Sequence, residues 1–72
     1  MFGTAKVMYM NTSDSIKDAA LAVCIASGED DIFIDMDTVG DRMPQDKTPA
    51  NMGLRAIVER AHVEKAEYIH LF

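Results

Sequence analysis

The chain has no tryptophan, one cysteine, two prolines, and only seven basic residues against twelve acidic ones. Each scarcity excludes something. A lone cysteine, Cys24, permits no internal disulfide, which suits a reducing compartment. It lies in an apolar helical stretch with no neighbour that would activate it, and reads as a small buried hydrophobe rather than a reactive thiol. A net charge of −5 and a pI near 4.7 oppose direct nucleic-acid binding, which needs clustered Lys and Arg to neutralise phosphates. No apolar run approaches the roughly 20 residues of a membrane span. Residues 1–6 have neither the basic start nor the apolar stretch of a signal peptide, so the expected location is cytoplasmic.

What is present is the balance of an ordinary globular domain, with 49% hydrophobic and 26% charged residues over 72 positions. This length supports one domain, 1–72. Chains of this size bury only roughly 60% of their unfolded surface, so stability is expected to be marginal and self-association, as a homodimer, is the expected supplement.

The order of elements reads β-α-β-α-β. Residues 5–10, with Val7 and Tyr9 and no breaker, predict a first strand. Ser13 or Thr12 can cap a helix over Asp14–Ser27, with Asp14 at the positive end of the helix dipole and Gly28 as its left-handed terminator. Ile32-Phe33-Ile34 predicts a second strand over 32–36. Residues 38–48 carry Gly, Pro and charge without periodicity and read as a loop. Thr48-Pro49 is a helix-start signal for a second helix over Pro49–Lys65, slightly weakened by Gly53. Tyr68-Ile69-His70-Leu71-Phe72 predicts a third strand over 67–71. Strands joined by crossover helices should be parallel, giving a minimal three-stranded parallel α/β sheet with two helices. Its order is open between 2-1-3, with helices on both faces, and 3-2-1, with both on one. Val7, Ile16, Ala20, Val23, Ile32, Ile34, Leu54, Ile57, Val58 and Ile69 make the expected core.

In a parallel sheet, ligands bind beyond the carboxyl ends of the strands, so the expected rim gathers Asn11, Thr12 and Ser13 with Asp35, Asp37, Asp41 and Arg42. Asp35 and Asp37, two apart at a strand end, can point two carboxylates at one Mg²⁺, with Asp41 as a third ligand; the same acids also serve simply to end a strand and keep it soluble. His62 and His70 have no Cys or acidic partner at metal-ligand spacing and read as structural. Of the six methionines, Met43 in the polar loop is the candidate for an adaptable contact.

Two family resemblances attach to these motifs. Residues Ile32 to Thr38, IFIDMDT, resemble the first motif of haloacid-dehalogenase-like phosphatases, in which the first Asp is the nucleophile and the second the acid/base. Thr38 stands where that family carries glycine, and its later lysine and acidic pair have no room here, so phosphatase activity is not expected.

A longer stretch resembles the first half of the catalytic domain of small serine recombinases, the resolvases and invertases. Gly3, Lys6 and Val7 match the opening loosely, Asn11-Thr12-Ser13-Asp14 falls at the serine-bearing turn, and Ile32-Phe33-Ile34-Asp35 and Asp41-Arg42-Met43-Pro44 match later landmarks. The resemblance implies a resolvase- or flavodoxin-like parallel topology. The nucleophile's place is taken by Asn11 and the leading arginine by Lys6, and the arginines that would balance a phosphodiester transition state are missing, so recombinase catalysis is not expected. No residue is assigned a catalytic role. The expected function is a non-catalytic protein-interaction or regulatory module. The alternative is a small Mg²⁺-dependent phosphate-binding or phosphotransfer protein built on the Asp35, Asp37 and Asp41 rim, for which no other cofactor is implied.

Overall fold

A computed structural model describes residues 5–23, 25–27 and 32–72. The elements run β1 (Val7–Met10), α1 (Asp14–Ala22), β2 (Ala26–Ser27), β3 (Ile32–Asp35), α2 (Met36–Val39), α3 (Pro49–Val63) and β4 (Tyr68–Leu71). The mixed α/β class stands. The expected parallel three-stranded sheet does not: four strands lie in the order β1-β4-β3-β2, with β1 and β4 parallel and the other two pairs antiparallel.

The difference begins at the end of α1. Ser13 caps it as expected, accepting from the Ile16 amide at 3.4 Å. The helix stops at Ala22 rather than Ser27, with Val23 as its αR cap donating its amide to Ala20 O at 3.0 Å, and Ala26–Ser27 become a strand instead. Only the four residues 28–31 then link β2 to β3. A parallel pair needs a crossover of a dozen or more residues, whereas a link this short permits an antiparallel hairpin. The crossover helix thus delivers the chain to β2 at the far edge, the hairpin reverses it, and β3 runs against β1. The Gly28 helix terminator and the buried role of Cys24 lie outside the described residues.

β4 fills the gap between β1 and β3. Tyr68 stands opposite both Val7 and Asp35, and Leu71 opposite both Met10 and Ile32. The start of β4 is fastened on both sides, with the Glu67 amide donating to Lys6 O at 2.9 Å and the Met36 amide to Glu67 O at 3.0 Å.

Thr48 caps α3 with Pro49 at its first turn. At the other end, Lys65 adopts φ 58°, its amide donates to His62 O at 3.1 Å, and the Ala66 amide reaches back to Ala61 O at 2.9 Å, the paired bonds of a Schellman stop. The expected helix end at Lys65 is therefore the left-handed residue just past the cap. The loop ahead of α3 is shorter than residues 38–48, because Asp35 turns the chain directly into α2, which buries Val39 fully. Asn51 Nδ2 donates to Asp46 O at 3.2 Å, and the Arg55 guanidinium donates to Pro44 O, so two α3 side chains pin the loop.

Helices α1 and α3 pack on the same face of the sheet. Between them and the strands lies an aliphatic core of Ala20, Val23, Ile32, Ile34, Val39, Leu54, Ile57, Val58, Ala61, Ala66, Ile69 and Leu71, flanked by Met8, Met10 and Ile16. Val7 was expected in that core. It alternates instead onto the opposite face, because Met8 and Met10 are the β1 residues packed against it.

Candidate interaction surface

The face of the sheet turned away from both helices is aromatic. Side chains two apart on a strand share a face, and residues directly opposite on neighbouring strands do too, so the observed register sets Tyr9, His70 and Phe33 in one row across β1, β4 and β3. Ring centroids are 5.3 Å apart for Tyr9 and His70 and 5.6 Å for His70 and Phe33. Along β4 the same alternation adds Tyr68, 5.2 Å from Phe33, and Phe72, 6.1 Å from His70. The rings are tilted or edge-on, the arrangement their quadrupoles favour. Beside Phe33, β2 contributes Ala26. Tyr9 is 63% and Phe72 46% exposed. Among the described strand residues on this face only Asp35 carries a formal charge.

Of the chain's two tyrosines and three phenylalanines, all but Phe2, which lies outside the described residues, belong to this surface. Conversely, the described core contains no aromatic ring. Strand propensity assigns Tyr9 and Tyr68–Phe72 to strands but does not by itself say which face their alternation shares. The signal was present in Tyr68-x-His70-x-Phe72, an aromatic at every second position, with Tyr9 and Phe33 as the lone rings of the other two strands.

The expected ligand rim is divided. Asn11, Thr12 and Ser13 follow the last residue of β1, at the Met10–Leu71–Ile32 end of the sheet. Asp35 and Asp37 lie at the opposite end, three residue steps or about 10 Å of strand away, because β3 is antiparallel to β1. The Thr12 amide donates to Phe72 O at 2.9 Å and Ser13 caps α1, which accounts for both residues structurally. Asp35 Oδ1 accepts from the Asp37 amide at 2.9 Å, and Thr38 Oγ1 donates to Asp35 O at 2.9 Å, so Asp35 caps α2. Asp37, Asp41 and Arg42 are exposed. Among the described residues no three His, Cys, Asp or Glu side chains converge as a metal site would require.

Met43 is half-buried and, with Gly40, Arg55, Val58, Glu59 and His62, lines a depression of about 210 Å³, below the roughly 300 Å³ at which ligand pockets begin. A wider hollow of about 500 Å³ on the outer side of α3 is bounded, among the described residues, by Ala56, Glu59, Arg60, Val63 and Glu64. There Arg60 Nε donates to Glu64 Oε2 at 2.9 Å, which holds the Glu64 carboxyl below its ordinary range. Among the described residues, no helix is long and apolar enough to cross a membrane. Set against protein-family models, curated proteins and solved structures, the chain gives no significant match.

Proposed function

We propose that this domain is a non-catalytic protein-interaction module of regulatory type, and that its working surface is the aromatic face of the sheet. One observation carries the reading: a chain with little interior to spare keeps its described rings off the core and gathers them on a face that neither helix covers. An aromatic side chain removes roughly 150–250 Å² from water when buried, the largest contribution available to a small domain. Tyr9 and Phe72 are exposed and Phe33 and Tyr68 half-buried, so part of that gain is given up unless something else covers them. Protein interfaces are the places where aromatic residues are enriched and charge is depleted, and the described strand residues of this face have both properties.

The likeness to the first half of a serine-recombinase catalytic domain rests on the short motifs around Asp35 and Asp41–Pro44, and it supplies no nucleophile to the reading. No observation favours the Mg²⁺ alternative, whose Asp35 carboxylate is already engaged at the start of α2. A photo-crosslinking phenylalanine analogue in place of Tyr9 tests the proposal in the native cell. A protein adduct should form there and not when the analogue replaces Glu59 on the outer side of α3. Equal yields at the two positions would defeat it. A thermal melt with millimolar Mg²⁺ checks the alternative, since a ligand that binds only the native state raises its stability by mass action.

A further inference from the structure

We infer that the partner docks along the outer edge of β1, where it supplies an extended peptide segment that adds a strand to the sheet; this rests on the proposed function and gives the partner its chemical form. The sheet order leaves two edges, β1 and β2. β2 is two residues long, too short to template a strand, whereas β1 has four, as many as β3 or β4. The direction of each β1 backbone group follows from its bonds. Lys6 O accepts from the Tyr68 amide at 3.2 Å and Met10 O from the Phe72 amide at 2.9 Å, and the Thr12 amide donates to Phe72 O at 2.9 Å. Backbone direction alternates along a strand, so the even-numbered residues turn their N–H and C=O towards β4, and Val7 and Tyr9 turn theirs outwards. Among the described residues no strand pairs with that side, and Tyr9 is 63% exposed.

Open edges are normally blunted by proline, by charge or by a bulge. Val7-Met8-Tyr9-Met10 contains neither proline nor charge, and its register against β4 runs unbroken from Val7 opposite Tyr68 to Met10 opposite Leu71, which leaves no bulge. The adjacent Lys6 donates its Nζ to Glu64 O instead of guarding the edge. Val7 and Tyr9 thus present two donors and two acceptors at strand spacing, a pattern that another extended backbone complements.

Side chains set the composition of that segment. A strand laid beside β1 places one set of its residues next to Val7 and Tyr9 on the aromatic face, and the alternate set next to Met8 and Met10 on the core side. β-Branched and aromatic residues suit both sides. A net charge of −5 disfavours an acidic segment. It also disfavours a second copy, which brings its own −5 and, along a four-residue edge, buries far less than the about 800 Å² per partner of a standard interface. A flexible peptide carries no folded body to repel, and its affinity comes from the main-chain bonds themselves.

Amide hydrogen exchange, read residue by residue by NMR, tests the inference with a peptide of alternating valine and threonine that carries a lysine at each end. In dilute protein alone the Met8 and Met10 amides should be protected, and those of Val7 and Tyr9 should exchange freely. Millimolar peptide should slow Val7 and Tyr9 by about tenfold, as a ligand at ten times its dissociation constant does. A peptide of the same charge with proline at each valine should slow neither. Val7→Pro removes an outward donor at an edge position where proline is tolerated, so the β1–β4 ladder stays whole while the slowing at Tyr9 is lost. Should that variant unfold, the exchange rates of the unaltered chain decide alone. Val7 and Tyr9 amides that are already protected in dilute protein, or that millimolar peptide leaves unchanged, overturn the inference; a crosslink from position 9 would then still uphold the interaction reading. Protection that grows with protein concentration alone overturns the peptide in favour of a second copy.

Discussion

Gly53 sets how closely α1 and α3 approach, and replacing it with alanine measures that contact. A Cβ built there lies 2.7 Å from Ile16 Cδ1 and 3.2 Å from Ile16 Cγ1. Two effects oppose each other. Alanine within a helix is favoured over glycine by about 1 kcal/mol. Forcing a methyl into an occupied space costs about 1–3 kcal/mol. Turning the Ile16 terminal methyl relieves only the first of the two contacts, because χ1 of isoleucine is stiff in a helix and holds Cγ1 in place. The clash should therefore win, leaving Gly53→Ala less stable by about 1 kcal/mol and lowering Tm by about 4–8 °C for a domain of this size. Urea unfolding of a double-mutant cycle isolates the cause. In an Ile16→Val background, which lacks Cδ1, the same substitution should cost at least about 0.5 kcal/mol less. If Gly53→Ala stabilises the parent by the full helix-propensity gain, or costs the same in both backgrounds, the close approach of the two helices is not what the glycine serves.

The elements that could be read from the sequence are those whose signals are local. Thr48-Pro49 and Ser13 act within one helical turn, and both caps form where the hydroxyl and proline predicted them. Ile32, Ile34, Leu54, Ile57, Val58 and Ile69 are buried because periodicity alone assigns them a face once an element exists. What could not be read is decided between elements. The direction of β3 depends on α1 stopping five residues early, a local event with a global consequence. That one reversal moves Asp35 and Asp37 away from Asn11, Thr12 and Ser13 and dissolves the expected rim. Val39 falls in a stretch that reads as a loop yet is fully buried, because four residues of helix capped by Asp35 leave no periodicity to detect. The aromatic face needs pairing register as well: alternation shows that Tyr68, His70 and Phe72 share a side, but only the observed register brings Tyr9 and Phe33 beside them.

Ile34 is fully buried at the centre of the core, so Ile34→Ala should cost about 2–5 kcal/mol and unfold a marginal domain outright, which circular dichroism reads directly. A variant that melts like the parent would show the core to be misassigned. The Glu64 carboxyl is held low by its hydrogen bond to Arg60 and by the guanidinium charge, so its contribution to stability is present above the unfolded carboxyl's pKa and fades as pH falls through the lower folded one. Arg60→Gln should raise the Glu64 midpoint in an NMR titration, and an unmoved midpoint would refute the pair. Lys65 is the last test. It holds φ 58° at the position after the α3 cap, where side-chain-bearing residues are strained and glycine is not. The Schellman bonds from Lys65 and Ala66 run through backbone amides, and Lys65 itself is exposed, so Lys65→Gly removes strain without removing a contact. Glycine's larger unfolded entropy offsets part of the gain, and the net stabilisation should be about 0.5–1 kcal/mol by urea unfolding. Lys65→Ala, which keeps the Cβ, should give none of it. Equal stability of the glycine and alanine variants would mean that the left-handed conformation at this position is not what stops the helix.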